Sequence, residues 1–226
     1  FTKQTQKLGP AILRRELERF VIELAWKSSK IEGNTYTLLE TESLIKERKV
    51  AEGKSRPEAV MILNHKAAFE QILINRALFK RITAAEIHQL HNVLVKDLDI
   101  TTGIRAAAVG ITGTAYTPLA NKFQIHEALE KMITILNNKE SVLEKALIAN
   151  AMLPYIQPYA DGNKRTGRML TNALLLADDD YPLSYRSVNE DEFKKALIVF
   201  YEQGSLFHLK RIFLEQLLFA YRTYFQ

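Results

Sequence analysis

The sequence predicts an all-α protein that carries one small β-hairpin. Apolar residues recur at the spacing of amphipathic helices through most of the chain, and short polar turns separate these segments. Residues 102–118 differ, because glycines interrupt a run of β-branched and small residues there. We expect this hairpin to lie across the helical core, since an isolated hairpin is only marginally stable in water.

The first half of the chain predicts four helices from apolar residues at helical spacing. The first is expected to end near Ser28, the second to cover residues 37–48 and the third to cover residues 58–79. The fourth is expected to begin at a capping box at Thr83. The fourth helix carries His88 and His91. No third metal ligand stands near them in the sequence, which favours packing or surface roles over a metal site.

The second half of the chain predicts five more helices. They are expected over residues 124–136, from Ser141 to Ile156, and over residues 165–177, 187–203 and 206–224. Ser141 and Ser187 each stand three residues before a glutamate. This is the spacing of a capping box, so each serine is expected to begin its helix.

Composition favours one compact body with a sizeable hydrophobic core. Of the 226 residues, 47% are hydrophobic, and no linker rich in proline, glycine or serine divides them. The chain has no cysteine, which excludes a disulfide scaffold and a thiolate zinc site. An apolar run long enough to span a membrane and a signal peptide are both missing, so we expect a cytoplasmic protein without a membrane partner.

One polar loop between two predicted helices has the features of a phosphate site. Residues 157–168 read Gln-Pro-Tyr-Ala-Asp-Gly-Asn-Lys-Arg-Thr-Gly-Arg. Gly162 can adopt a positive φ, so the backbone N–H groups of Gly162, Asn163 and Lys164 can converge at the start of a helix. The helix dipole favours an anion at that end, and a phosphate fits there.

Charged side chains beside this loop add to the prediction. Asp161 offers the oxygen ligand that a phosphate-bridging Mg²⁺ requires. Arg165 and Arg168 are three residues apart, so they share one helix face and can bind two phosphate groups. An ordinary basic turn with a solvated aspartate is the better interpretation of a lone Asp-Gly-Asn, but not of the whole run.

The run 157–168 resembles the active-site loop of the Fic-domain family, whose motif reads H-P-F-x-D/E-G-N-G/K-R-x-x-R. It differs at Tyr159, which replaces phenylalanine, and at Gln157, which replaces histidine. In that family the histidine is the general base that takes a proton from the target hydroxyl. A glutamine cannot do this, and loss of a positioned base costs roughly 10²- to 10⁴-fold in rate.

Residues 28–34 resemble the inhibitory motif of the same family, S/T-x-x-x-E-G/N. Ser28, Glu32 and Gly33 match it. In the family this glutamate pairs with the second arginine of the active-site loop, which the resemblance assigns to Arg168. Taken alone, the stretch predicts only a helix end and a turn. Two family motifs in one chain favour the inhibitory role.

Residues 102–118 resemble the flap of Fic proteins, whose exposed strand edge pairs with an extended segment of the target protein. The resemblance assigns target binding to Val109, Gly110, Ile111, Thr112, Gly113 and Thr114. A structural hairpin without a partner is the alternative.

The resemblance covers most of the chain and implies a Fic-type helical domain that binds ATP and Mg²⁺. Its activity would be transfer of AMP to a protein serine, threonine or tyrosine hydroxyl. Asp161 would hold Mg²⁺, the backbone around Gly162 and Asn163 would bind phosphates, and Arg165 and Arg168 would bind the outer phosphates. We expect N-terminal helices over residues 1–80, a core over residues 81–185 and C-terminal helices over residues 186–226.

Two other functions remain open at this stage. The first is a nucleotide-binding pseudoenzyme that uses the flap to bind a protein without modifying it. The second is a nucleic-acid binder, suggested by the net charge of +5. It ranks last, because the basic residues are spread along the chain and no nucleic-acid-binding motif accompanies them. Oligomerisation is left open.

Overall fold

The computed structural model describes residues 1–226, and its regular structure is entirely helical. The α-helices are α1 Thr2–Thr5, α2 Pro10–Ile31, α3 Leu38–Glu47, α4 Arg56–Ile74, α5 Ala84–Val95, α6 Lys122–Asn138, α7 Val142–Ile156, α8 Asn163–Ala177, α9 Glu190–Gln203 and α10 Phe207–Thr223, with a 3₁₀ helix at Arg76–Lys80. None of these helices is long and apolar enough to cross a lipid bilayer.

Helix α8 lies at the centre of the molecule and carries the basic residues of the loop motif. Every residue of α8 except Lys164 is buried. It packs against α2, α4, α5, α7 and the 3₁₀ helix, and α7 is its principal neighbour. The short loop 157–162 joins α7 to α8, so the packing of these two helices sets the distance between its ends.

The predicted β-hairpin over residues 102–118 is wrong, because this segment contains no strand. A side chain within the segment, that of Arg105, binds backbone carbonyls in and around it, and there is no cross-strand ladder. The Arg105 guanidinium donates to the carbonyl oxygens of Gln157, Ala107 and Leu119 at 2.7, 2.8 and 2.6 Å. The Arg105 backbone N–H donates to the carbonyl of Pro158 at 3.0 Å.

The far end of the segment is also held by a side chain. The Glu202 carboxylate on α9 accepts hydrogen bonds from the Thr114 hydroxyl at 2.6 Å and from the Ala115 backbone N–H at 3.0 Å. Between these anchors, residues 108–113 make no backbone hydrogen bond to the rest of the chain. The flap is therefore an irregular loop anchored at both ends, with an unpaired backbone between them.

Two of the three predicted capping boxes mark real helix starts. Thr83 forms the predicted reciprocal box with Glu86, and the Ser141 hydroxyl accepts from the Glu144 backbone N–H. The third prediction is wrong, because α9 begins after Asn189, whose side chain accepts from the N–H groups two and three residues later. Three acidic residues follow Asn189 and favour a helix N-terminus there.

Candidate functional site

The loop between α7 and α8 reverses direction at two residues with positive φ. Gln157 ends α7 with φ 52° and Gly162 precedes α8 with φ 82°. A Cβ atom at Gly162 would lie 2.9 Å from Cγ1 of Val95 on α5. Both the backbone conformation and the available space therefore require glycine at residue 162.

Asn163 and Gln157 hold the interior of the loop together. The Asn163 Oδ1 atom accepts from the Tyr159 backbone N–H at 3.0 Å, and its Nδ2 atom donates to Gln157 Oε1 at 2.7 Å. Nε2 of Gln157 donates to the Pro154 carbonyl at 2.6 Å. Both ends of the Gln157 amide are thus engaged inside the protein, and an amide is not a proton acceptor near neutral pH.

The start of α8 presents three backbone N–H groups that have no acceptor in the protein. They belong to Asn163, Lys164 and Arg165. Gly162 was predicted to belong to this set, but its N–H donates to Asp161 Oδ1 at 2.6 Å. The donor set at the helix N-terminus is therefore shifted by one residue along the chain.

Asp161 and Arg165 form an ion pair at the edge of this donor set. Arg165 Nη2 lies 3.0 Å from Asp161 Oδ2, and the side chain of Asp161 is 67% exposed whereas that of Arg165 is 2% exposed. Burial lowers the pKa of Arg165, and the nearby carboxylate opposes this. Arg165 therefore lies beneath Asp161, so of the pair only the carboxylate presents itself to a ligand.

Arg168 is fully buried and connects α8 to α2. Its Nη2 atom donates to Glu32 Oε1 at 2.8 Å and to the Ser28 carbonyl at 2.9 Å, and its Nε atom donates to Ser28 Oγ at 2.9 Å. The remaining nitrogen, Nη1, is buried without a partner. The structure thus brings the motif around residue 30 into direct contact with the loop motif.

The Glu32 carboxylate bridges two basic residues of α8. Its second oxygen, Oε2, lies 3.0 Å from Nζ of Lys164. Burial raises the pKa of Glu32, but the charges and hydrogen bonds of Arg168 and Lys164 outweigh burial and bring this pKa to about 2. Glu32 is therefore ionised at neutral pH, and we call its contacts with Arg168 and Lys164 the Glu32 bridge. Gly33 follows at an exposed turn with φ 94°.

An open cleft of about 310 Å³ lies beside the Glu32 bridge. Glu32 and Lys164 line one side, and Ile111 and Thr112 of the flap line another. Ile31 of α2 and four residues of α9 complete it, the latter being Lys194, Leu197, Ile198 and Tyr201. The cleft therefore borders residues from all three sequence motifs.

The other predicted flap residues lie outside the lining of this cleft. Val109 is half-buried and Gly110 is exposed. A Cβ atom at Gly113 would lie 3.7 Å from Ile198, and the Thr114 hydroxyl donates to Glu202. These residues place the exposed backbone of the flap next to α9.

Two buried histidines support the site, and sequence reasoning did not assign them to it. His65 on α4 contacts Ser28, and His91 on α5 lies within 2.9 Å of the Asp161 carbonyl oxygen. The ring of His91 also stacks on Tyr159 with centroids 3.7 Å apart. A single histidine in an amphipathic helix gives no sequence signal for either contact.

The sequence is similar to one known protein family and to curated members of it. The sequence model of the Fic/DOC family matches residues 81–175. The protein adenylyltransferase Fic of Aedes aegypti is 32% identical over 181 residues, which cover 74% of this chain and 34% of that protein. The protein adenylyltransferase fic-1 of Caenorhabditis elegans is 26% identical over 172 residues, which cover 73% and 33%. The chain thus spans about a third of the length of these relatives.

Solved structures share the same fold. A Fic-domain-containing signaling protein from Bacteroides thetaiotaomicron superposes with a TM-score of 0.76 at 20% identity, covering 96% of this chain and 91% of that chain. Residues 134–508 of Fic-1 from Caenorhabditis elegans give a TM-score of 0.77 at 23% identity, covering 98% and 68%. The helical arrangement described above is therefore that of Fic-domain structures.

Substituting Gly162 is expected to destabilise the protein more than substituting Gly33. Both glycines have positive φ, but only Gly162 has a neighbour that an added Cβ would meet. A left-handed conformation costs a residue with a side chain roughly 1–2 kcal/mol, and overpacking adds about 1–3 kcal/mol. Urea unfolding of Gly162→Ala and Gly33→Ala would measure the difference. Equal losses in the two variants would show that Val95 moves aside freely.

The Glu32 bridge is expected to stabilise the fold above the ordinary carboxyl pKa of 4.5 and to weaken as the pH falls towards 2. A depression of this size corresponds to about 3 kcal/mol near neutral pH. The stability advantage of the parent chain over Glu32→Gln should therefore shrink between about pH 5 and about pH 3.

Chemical unfolding across this pH range would measure that advantage. Glu127→Gln is the matched control, because Glu127 forms an exposed pair with Lys131. The control should differ from the parent by less than about 1 kcal/mol throughout. A parent-to-variant difference at Glu32 that does not change with pH would contradict the ionised bridge.

Proposed function

The chain belongs to the Fic/DOC family through residues 81–175, and on that premise we propose that it binds ATP with Mg²⁺. We propose further that it resembles protein adenylyltransferases in its activity, with AMP transfer impaired by Gln157. The observation that carries this proposal is the set of unpartnered donors at the start of α8. Three adjacent backbone N–H groups and Nη1 of Arg168 have no acceptor in the protein. Free N–H groups at a helix N-terminus favour a bound anion, because the helix dipole adds to their attraction.

The triphosphate of the nucleotide fits this donor set. The N–H groups of Asn163, Lys164 and Arg165 would bind phosphate oxygens at the helix N-terminus, where the dipole adds to the attraction. Arg168 would bind the terminal phosphate through Nη1 and through Nη2 once Glu32 has left. We propose that Arg165 acts differently from Arg168, by holding the Asp161 carboxylate instead of contacting phosphate.

Asp161 would hold the Mg²⁺ ion that accompanies ATP. No group of three or more histidine, cysteine, aspartate or glutamate side chains meets in the structure. A single exposed carboxylate nevertheless fits magnesium, which usually takes its remaining ligands from phosphates and water. The ion would neutralise phosphate charge, and the His91 contact to the Asp161 backbone would keep the carboxylate at the loop edge.

The nucleoside would occupy the cleft beside the Glu32 bridge. Ile111 on the flap and Leu197 and Ile198 on α9 give this cleft apolar walls suited to a planar base. The cleft also borders Lys164, so a base bound there would lie next to the triphosphate. This arrangement would bring the α-phosphorus close to the loop that carries Gln157.

The transfer step explains why Gln157 would impair activity. The oxygen of a target hydroxyl attacks the α-phosphorus, the bond to the β-phosphate oxygen breaks, and pyrophosphate leaves. The hydroxyl proton must pass to a base. Gln157 cannot take it, and its amide is already bonded to Asn163 and Pro154.

We propose that the Glu32 bridge restrains nucleotide binding. The carboxylate occupies Nη2 of Arg168 and Nζ of Lys164, two donors that an ATP phosphate would otherwise use. Ser28 holds the same arginine from the other side, and Gly33 allows the chain to turn directly after Glu32. ATP would therefore have to displace the carboxylate to reach Arg168.

The protein target would pair with the flap. Residues 108–113 have an unpaired backbone next to the proposed nucleotide cleft, although they do not form the strand that the sequence predicted. An extended segment of a target could add backbone hydrogen bonds to this stretch. The target hydroxyl would then be directed towards the loop at residue 157.

A nucleotide-binding pseudoenzyme is the second candidate function. The observation that favours it is the Gln157 amide, whose nitrogen donates to the Pro154 carbonyl and whose oxygen accepts from Asn163, so it holds the loop together. Such a protein would bind ATP and a target strand without transferring AMP. The two candidates differ in one measurable property, the incorporation of label from ATP.

Removing the Glu32 carboxylate is expected to tighten ATP·Mg²⁺ binding. A charge-assisted hydrogen bond is worth about 1.5–3 kcal/mol, so Glu32→Gly should bind roughly 10- to 100-fold more tightly than the parent. Arg168→Ala should weaken binding with or without Glu32, and the two changes should not be additive. Isothermal titration calorimetry on the four proteins would measure all of these affinities.

The same titrations separate two kinds of failure. Gly162→Val in the Glu32→Gly background is the negative control, because it crowds the start of α8. If Glu32→Gly binds no ATP, the nucleotide site itself is wrong. If Glu32→Gly binds ATP with the affinity of the parent, the site stands and the restraining role of Glu32 is wrong.

Restoring a base at residue 157 is expected to raise self-adenylylation. Gln157→His in the Glu32→Gly background should incorporate roughly 10²- to 10⁴-fold more labelled AMP, the usual contribution of a general base. Gln157→Asn is the matched control, since it changes the side chain but keeps an amide. Equal incorporation by Gln157→His and the control would mean that residue 157 does not face the target hydroxyl.

A further inference from the structure

We propose that His65 is a positioning residue for Arg168 and acts through the hydroxyl of Ser28. His65 lies on α4 and is 1% exposed. It does not line the cleft beside Glu32, and it makes no hydrogen bond to loop 157–162. This inference rests on the proposed function, in which Arg168 binds phosphate.

The surroundings of His65 determine which ring nitrogen carries the proton. Nδ1 lies 2.8 Å from the carbonyl oxygen of Met61, and Nε2 lies 2.8 Å from Oγ of Ser28. A carbonyl oxygen can only accept, so Nδ1 must carry a hydrogen. The Ser29 hydroxyl, 3.3 Å from Nδ1, makes a longer second contact on the same side of the ring.

The ring is neutral, so Nε2 is a hydrogen-bond acceptor. Burial lowers the pKa of His65 to about 3, and the positive charges of Arg165 and Arg168 act in the same direction. The Met61 carbonyl and the Glu32 carboxylate oppose this effect but do not cancel it. Since Nδ1 holds the only ring N–H, the Ser28 hydroxyl donates its hydrogen to Nε2.

The orientation of the Ser28 hydroxyl then determines the orientation of Arg168. With its hydrogen committed to His65, Ser28 Oγ presents a lone pair to Nε–H of Arg168 at 2.9 Å. The result is a directed chain of hydrogen bonds from Arg168 to Ser28, from Ser28 to His65 and from His65 to Met61. It connects α8, α2 and α4, and each donor in it has a defined acceptor.

This chain of hydrogen bonds holds the plane of the Arg168 guanidinium independently of Glu32. Ser28 provides two contacts to Arg168, one to Nε and one to Nη2, whereas Glu32 provides a single contact to Nη2. The Ser28 contacts can persist after a nucleotide displaces Glu32. His65 therefore keeps the Arg168 guanidinium in the orientation in which a phosphate would meet it. In that orientation Nη1 is the donor without a partner in the protein.

Two substitutions of His65 in the Glu32→Gly background test this role. His65→Leu removes the acceptor, so the affinity for ATP·Mg²⁺ should fall about tenfold, the value of one hydrogen bond. His65→Gln retains an oxygen that can accept from Ser28, so it should restore most of the affinity. Adenosine, which has no phosphate, should bind both variants with the affinity of the background protein.

Two further measurements exclude a merely structural role. When Arg168→Ala is also present, His65→Leu should cause no additional loss of ATP affinity. The ¹⁵N chemical shifts of His65 in the unsubstituted chain should show a neutral ring protonated at Nδ1 from about pH 5 to about pH 8. If His65→Leu does not fold, Ser28→Ala replaces it, because that variant breaks the same chain at the hydroxyl.

Three results would overturn the positioning role. They are an unchanged ATP affinity in His65→Leu, equal losses of ATP and adenosine affinity, and a ring that is charged or protonated at Nε2. If the Glu32→Gly protein binds no ATP at all, the proposed function fails instead. The ¹⁵N measurement then still decides whether the directed chain exists.

Discussion

A guanidinium without contact to water must have acceptors inside the protein, and Arg168 takes its acceptors from α2. Leaving such a charge unpaired costs several kcal/mol, because neither solvent nor a dipole compensates it. Ser28 and Glu32 supply the acceptors, and the pair Arg168–Glu32 spans 136 residues of sequence. Helix α2 is therefore required for the central helix α8 to keep its buried charge.

Because Arg168 needs an acceptor but not a particular one, another anion could replace Glu32 in its contact with Arg168. Desolvation of both charges offsets part of the attraction in a buried ion pair. The Glu32 bridge still contributes about 3 kcal/mol near neutral pH, and a ligand that takes the same donors would have to replace that contribution. A triphosphate carries more negative charge than one carboxylate, and it would meet two donors that Glu32 now uses as well as the unpartnered N–H groups of α8.

The turn at Gly162 was predictable from local chemistry. Gly162 was expected at a positive φ, and it has one. The irregular flap was not predictable, because Val109 and Ile111 alternate as in a strand, whereas the Arg105 guanidinium within the same segment binds the carbonyls of Ala107 and Gln157. That contact depends on the position of α7, which no local pattern encodes.

Other misses have the same origin in tertiary structure. Ser187 and Asn189 both suit a helix start, and only the acidic turn after Asn189 distinguishes them. The donation from the Gly162 N–H to Asp161 follows from the exact loop conformation. His65 supports Ser28 from another helix, so a single histidine in the sequence could not reveal it.

A crystal structure of the Glu32→Gly chain with Mg²⁺ and a non-hydrolysable ATP analogue would test competition for Arg168 most directly. We expect a terminal phosphate oxygen within about 3 Å of the guanidinium, close to the place now taken by Glu32 Oε1. The Ser28 contacts to Arg168 should be unchanged. A nucleotide bound elsewhere, with Arg168 making no phosphate contact, would contradict the view that ATP and Glu32 compete for the same buried arginine.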